Sequence, residues 1–262
     1  MTRCAVLACA VVIAVGSSAC SQADSAVEVS GGCATAYGAE VCSWAKTVGG
    51  NPVEVGMTVP LASIEKAPDD EMPAWPPHAA ATLTVPDAAR AASGLDHITM
   101  YWEAMGHPPG AYLTPHFDFH FYLIPADERM AIDCSDLSKP AALPAEFGLP
   151  DVELPPEMAA MTGVPTLVGL CVPQMGMHSA LQAELESTAL FDGTMVIGYY
   201  RGRTIFVEPM LSRAMLMEKR SFDLAIPDLP GFAGAHPTAF HAEYDAASNA
   251  YRFVFSGFSP AG

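Results

Sequence analysis

The chain has 262 residues, 51% hydrophobic and 9% aromatic with 23 prolines, which is enough apolar material for one substantial domain and too much for a disordered chain. Twelve basic residues against 29 acidic give a net charge of −17, which repels nucleic acid and anionic lipid head groups, and no basic patch offsets it. Acidity of this kind excludes partners more than it identifies them.

The first residues, MTRCAVLACAVVIAVGSSAC, place a single Arg before an apolar run and then small residues, the layout of an export signal rather than a membrane anchor. Residues 1–19 are read as that signal, 20–29 as a linker and 30–262 as a single mostly β domain. Cys20, after Ser17, Ser18 and Ala19, resembles the lipidation box of bacterial lipoproteins, with Ser17 standing where an aliphatic residue is usual. Ordinary cleavage near Cys20 is the alternative. Either way the protein is expected to be exported by a bacterium, periplasmic or lipid-anchored at the envelope through Cys20. Cys33, Cys42, Cys134 and Cys171 remain after the leader. In an exported chain they point to two disulfides, with three pairings open. Proximity favours Cys33 with Cys42 across a hairpin and Cys134 with Cys171 around a long insertion. The rival, a thiolate metal site, lacks any short Cys-x-x-Cys pair.

Residues 28–62 contain VEVSGG and NPVEVGMTVP, short strands separated by turns. APDDEMPAWPPHAA, residues 67–80, is too rich in proline for regular structure. PDAARAASG has Pro at its head, alanines inside and Gly at its end, which marks a short helix over 86–94. HITMYWEAMGHPPG reads as a strand running into a turn, and YLTPHFDFHFYLIP as a second strand, the two making a hairpin with a long connection. ERMAIDC begins another segment, followed by a polar, proline-studded excursion from Lys139 to Pro165 of the kind that forms binding loops or wrappings. TMVIGYYRGRTIFVEPM is a hairpin turning at Arg201-Gly202-Arg203, PMLSRAMLMEKR a short amphipathic helix, and FHAEYDAASNAYRFVFSGF two closing strands. The chain is therefore read as mostly β, with α+β as the variant: a single antiparallel β sandwich or barrel-like domain with short helices and long proline-rich loops.

The stretch PHFDFHFY carries the candidate chemistry. On a strand, His116, Asp118, His120 and Tyr122 share one face and Phe117, Phe119 and Phe121 the other. His116 and His120 would lie roughly 13 Å apart on a straight strand, too far to share one ion. A single metal would take His116 with Asp118, or Asp118 with His120, and complete its shell from elsewhere, leaving the other histidine to orient a ligand or face substrate. His178, set by the Pro and Gly of CVPQMGMH, Glu208, in the apolar strand IFVEPM, and His107, in GHPPG directly before the strand, are suitable donors. A buried glutamate needs a partner. The metal set is thus His116, Asp118, His120, His178 and Glu208, holding a divalent transition metal, zinc or another. His107, in the turn before the strand, and His120 are the candidates for proton transfer. Two alternatives stay open: a metal-free polar pocket, and a structural network in which Glu208 pairs with Arg201 or Arg203 or caps the following helix. His236 and His241 read as ordinary loop or surface residues.

Gly110 ahead of His116, and PQMGMH, partly resemble the two metal motifs of the cupin barrels. Asp118, however, stands where those have a second histidine, no Glu follows at the matching distance, and the late glycine is shifted. GHPP, PHFDFHFY, P-x-MG-x-H, the glycine-tyrosine hairpin and IFVEPM, at residues 106–109, 115–122, 173–178, 198–200 and 205–210, together resemble an uncharacterised family of exported bacterial proteins, a domain of unknown function with a Thermus structural representative. Ser179 departs from the aromatic residue expected after His178. The resemblance implies an envelope location and self-assembly, and carries no catalytic role to any residue.

The absence of HExxH, G-x-S-x-G and a Walker loop disfavours classical zincin, serine hydrolase and P-loop readings. Two functions remain in competition: a metal-binding protein or metal-dependent enzyme, and a non-catalytic ligand-binding or self-assembling envelope protein forming a homo-oligomer. A metal carrier with a closed, reversible site is a third. Convergence of the five donors in one pocket favours the first, and their dispersal into separate pairs the second.

Overall fold

Long runs alternating apolar with polar or small residues build two large antiparallel sheets. The computed structural model describes residues 25–230 and 235–258, so the leader and Cys20 lie outside the described residues. Three ten-residue strands open the chain, β1 (Val27–Ala36), β2 (Ala39–Val48) and β3 (Asn51–Pro60), longer than the short strands read from the sequence. Then come α1 (Leu61–Glu65), β4 (Ala81–Thr84), α2 (Asp87–Ser93), β5 (His97–Glu103), β6 (His116–Tyr122) and α3 (Ala126–Met130). The excursion that follows is more structured than its prolines suggest. It carries β7 (Phe147–Gly148), β8 (Val152–Glu153), α4 (Pro156–Thr162) and β9 (Thr166–Leu167), because its prolines fall at α4's first turn and between elements, where no backbone donor is lost. β10 (Met177–Leu181), α5 (Gln182–Leu185), β11 (Gly193–Tyr200), β12 (Arg203–Ser212), α6 (Arg213–Met217), β13 (Phe222–Leu224), β14 (Ala239–Asp245) and β15 (Ala250–Ser256) complete the chain.

One sheet has the order β1-β2-β3-β15-β14-β13 and the other β4-β5-β6-β12-β11-β10-β7, while β8 and β9 form a separate two-stranded ribbon. Both large sheets keep free edges, so the barrel-like expectation is corrected: neither closes on itself among the described residues. Full closure requires a last strand pairing with the first, and here β13 and β7 end their sheets unpaired on one side. α6 is also shorter than expected, because β12 runs on through Pro209 to Ser212 before the Ser212 hydroxyl accepts the Met215 N–H and starts the helix.

The main apolar cluster draws on both sheets. Phe117, Phe119 and Phe121 are fully buried in it, with Phe119 tilted on Phe253 and Phe121 edge-to-face with Phe255, each pair at 4.6 Å between ring centroids. Burying each phenylalanine contributes about 1.5–3 kcal/mol, so this face of β6 fixes the strand's register. A one-residue slip would exchange three phenylalanines for His116, Asp118 and His120. At one end the Ser43 hydroxyl donates to the Thr84 carbonyl at 2.6 Å, tying β2 to β4 of the other sheet. Two disulfides form as the spacing suggested, Cys33–Cys42 within the β1–β2 hairpin and Cys134–Cys171 tying the segment after α3 to the residues ahead of β10.

Candidate metal centre

The face of β6 turned away from that core carries His116, Asp118, His120 and Tyr122, all of them buried. His107 and Phe191 pack on His116, His178 and Phe206 on His120, and His97 and Phe206 on Tyr122. Opposite β6 on one side, β5 sets Glu103 against His116, Tyr101 against Asp118 and Thr99 against His120. On the other side β12 pairs Phe206 with Tyr122 and Val207 with Phe121, then resumes at Met210 with Asp118. Pro209, having no N–H, falls in the gap, and Glu208 beside it projects toward His120.

The five expected donors do not share one pocket corner. They fall into two triads, and His107, read both as a suitable donor and as a candidate for proton transfer, stands inside one of them. His107, His116 and Asp118 form the first, and His120, His178 and Glu208 the second; in each, one ligand atom from every residue lies within 4.8 Å of the others. His116 thus pairs with Asp118 as anticipated, whereas His120 turns to Glu208 and His178.

Hydrogen bonding fixes the tautomers of His107, His116 and His178. A carbonyl oxygen only accepts, so the ring nitrogen facing it must carry the proton. His116 Nδ1–H donates to the Thr114 carbonyl at 2.7 Å, His178 Nδ1–H to Leu170 at 2.9 Å, and His107 Nδ1–H to Pro108 at 2.8 Å. In the neutral rings each Nε2 is left as a bare lone pair. His116 Nε2 then faces Asp118 Oδ1 at 3.3 Å. His178 Nε2 faces His120 Nε2 at 3.4 Å, which in turn lies 3.6 Å from Glu208 Oε2. His116 Nε2, Asp118 Oδ1 and Glu208 Oε2 are buried with no hydrogen-bond partner. Lone pairs turned on one another in a buried site call for a cation, a proton or a bridging water between them.

Electrostatics favour uncharged or metal-bound histidines. Burial, then the neighbouring His107, lowers His116 to about 3, and burial lowers His178 to about 4. His120 is held well below its usual value by burial and then by His178 and the Arg129 guanidinium. The carboxyls move the other way. Burial and then the Glu103 charge raise Asp118, and burial and then Asp118 raise Glu208. Glu103 is itself raised, first by burial.

Two glycines set the second triad. Gly176 takes φ 112, and a Cβ there would lie 2.8 Å from the Tyr199 carbonyl, so the chain enters β10 at a path only glycine follows. Gly198, paired with His178 across β10–β11, leaves room for the Phe206 ring, whose atoms would sit 2.0–2.2 Å from an added Cβ. That ring packs against His120 at 4.6 Å and His178 at 5.1 Å.

The structural-pair reading of Glu208 is corrected: Arg203 pairs with Glu128, Arg201 lies 3.7 Å from Asp136, and Glu208 stays within the triad because both arginines sit at the solvent end of the hairpin. Sequence reading missed several residues here. Buried Arg129 donates to the Tyr101 hydroxyl and the Gln174 carbonyl, both at 3.1 Å, and His97 stacks on Tyr122 at 4.8 Å. Applying the same alternation to HITMYWE would have put His97, Thr99, Tyr101 and Glu103 on one face beside the triads. Arg129 had no such signal. His241 pairs with Asp223 at the surface, as an ordinary histidine would.

Residues 48–102 match the TTHB210-like family, described as Hypothetical protein TTHB210. The matched stretch runs from the end of β2 to Trp102 in β5 and contains none of the triad donors. No curated protein and no solved structure matches the chain.

Proposed function

We propose that this chain, a member of the TTHB210-like family, is an exported metal-binding protein that holds two divalent transition-metal ions, zinc or a similar metal, one in each triad. His107, His116 and Asp118 hold the first, and His120, His178 and Glu208 the second. The observation that carries this reading is the tautomer pattern. His107, His116 and His178 each spend Nδ1–H on a backbone carbonyl, and the bare Nε2 of His116 is turned on Asp118 and that of His178 on the His120 ring, whose own Nδ1 has no partner. Backbone carbonyls that fix ring orientation in this way are characteristic of metal-binding histidines. A metal-free site would instead need a proton, as on a carboxylic acid facing an imidazole, or a bridging water held in each triad.

A divalent ion supplies Lewis acidity and ionises bound water near neutral pH. Glu103, on the neighbouring strand and outside both triads, is placed to accept a proton beside the first. Two disulfides support an oxidising compartment, in keeping with export and with a lipid anchor at Cys20. The shared core supports reading the two sheets as a sandwich within 30–262. The acidic charge supports partners other than nucleic acid.

Elemental analysis of native, tag-free protein tests the reading. Close to two equivalents of a divalent metal are expected, with one lost in a folded His116→Ala variant and the other in His178→Ala. Metal-free protein, purified from cells with metals supplied, would refute it.

A further inference from the structure

Above the triads lies a cavity of about 310 Å³ whose floor is polar and whose walls, built from Trp102, Leu154, Met158, Met175 and Met210, are not. Trp102 is a fixed part of the wall. Its indole N–H donates to the Pro68 carbonyl at 2.8 Å, and Phe117 and the Arg213 guanidinium pack on its ring at 4.5 and 5.1 Å. Another part of the wall hangs from the separate β8–β9 ribbon and α4, a helix that buries none of its own residues while lending Met158 and Met161 to the cavity. At the mouth Met72 is 76% and Met105 57% exposed. Large apolar side chains left open around a recess mark a small-molecule site rather than a piece of core.

The hydrogen-bond donors around the walls are turned inward to the protein. Besides the Trp102 indole, the Tyr112 hydroxyl donates to the Glu184 carboxylate at 2.9 Å, and the backbone N–H groups of Gly106, His107 and Met175 donate to the Glu103, Tyr112 and Val172 carbonyls. No lysine or arginine is among the lining side chains. We propose that this cavity binds an uncharged, predominantly hydrocarbon small molecule, its body laid along the methionine and tryptophan walls. An anionic head finds no side-chain cation on the walls and none of these donors to receive it. A head of either charge must stay in water at the mouth, beside exposed Glu71 and His78, where an ion pair contributes little, or give up its hydration on the way to the floor. A hydrocarbon body meets neither cost, and thioethers adapt to varied apolar shapes without calling for further polar atoms. None of the wall side chains named belongs to a triad, so such a body is accepted with or without metal below.

Fluorescence titration of the chelator-treated protein with phenylnaphthylamine and with anilinonaphthalenesulfonate puts this to the test, because the two dyes share their rings and differ by one sulfonate. Phenylnaphthylamine should bind saturably at one site and at least ten-fold more tightly than the sulfonate. Octanol should displace it at a concentration at least ten-fold lower than octanoate or octylammonium requires. Met158→Asp, on a helix that contributes nothing to the core, should weaken phenylnaphthylamine ten-fold or more with an unchanged urea midpoint, and Met161→Asp on the same helix gives a second check. Because no metal is present in the titration, the outcome is separate from the metal count of the native protein. Absence of saturable binding, or indifference to both substitutions, would overturn the site. Equal affinity for the two dyes, or displacement by octanoate or octylammonium as readily as by octanol, would overturn the choice of an uncharged ligand.

Discussion

Gly198→Ala adds one methyl group in the worst available place. The new Cβ would lie 2.0–2.2 Å from three atoms of the Phe206 ring, far inside contact distance. Phe206 cannot swing away freely, because it is fully buried with His120, His178 and Tyr122 around it at 4.6, 5.1 and 5.3 Å. Overpacking of this kind costs about 1–3 kcal/mol. The gain from a less flexible unfolded chain offsets about 0.4–1 kcal/mol of it, leaving a net loss of about 1.3 kcal/mol at the middle of the two ranges. Any shift of the ring also displaces the two histidines of the second triad, so zinc affinity should fall with stability. Urea unfolding of the metal-free protein, paired with zinc titration, measures both. A double-mutant cycle isolates the cause: in a Phe206→Ala background the ring is gone and Gly198→Ala should cost little or nothing. Equal stability of Gly198→Ala and wild type, or the same cost in both backgrounds, would refute the argument that Gly198 exists to seat Phe206.

His178→Ala should remove the metal of the second triad while leaving that of the first, with unchanged circular dichroism; retention of both ions would sink its assignment as a ligand. Because burial holds His116 near 3 and His178 near 4, their ring NMR signals in metal-free protein should still be those of neutral imidazole at pH 5.5, where an exposed histidine is mostly charged, and a midpoint near 6.5 for either would contradict the buried geometry. The sign of the linkage follows: with folded values below the unfolded one, what these rings contribute to stability is complete above about 6.5 and is lost as pH falls toward 4 and then 3. Removing the Cys134–Cys171 bridge, which spans 37 residues, should cost about 4 kcal/mol against about 2.5 kcal/mol for Cys33–Cys42, which spans 9, as measured by urea unfolding of paired Cys→Ser variants. Equal losses would show that loop closure is not what these bridges contribute.

Much of this arrangement was legible in the chain itself. Alternation in HFDFHFY determined that three phenylalanines enter a core while His116, Asp118 and His120 share the opposite face, because a strand permits no other division. The same rule fixed the distance that keeps His116 and His120 from sharing an ion. Spacing and compartment favoured the two disulfides that form. The hairpin at Arg201-Gly202 and the helix closed by Gly94 followed from local backbone preferences.

What only the tertiary structure decided is which donors meet. His107 and His178 lie in segments joined to β6 by no sequence pattern, and cross-strand register alone put Glu208 opposite His120 rather than beside an arginine. Whether the sheets close into a barrel, and that Arg129 sits behind Tyr101, likewise depend on contacts between residues far apart in the chain. Periodicity tells which way a side chain points, but its neighbour is set by how independent elements pack, and that information is shared among all of them.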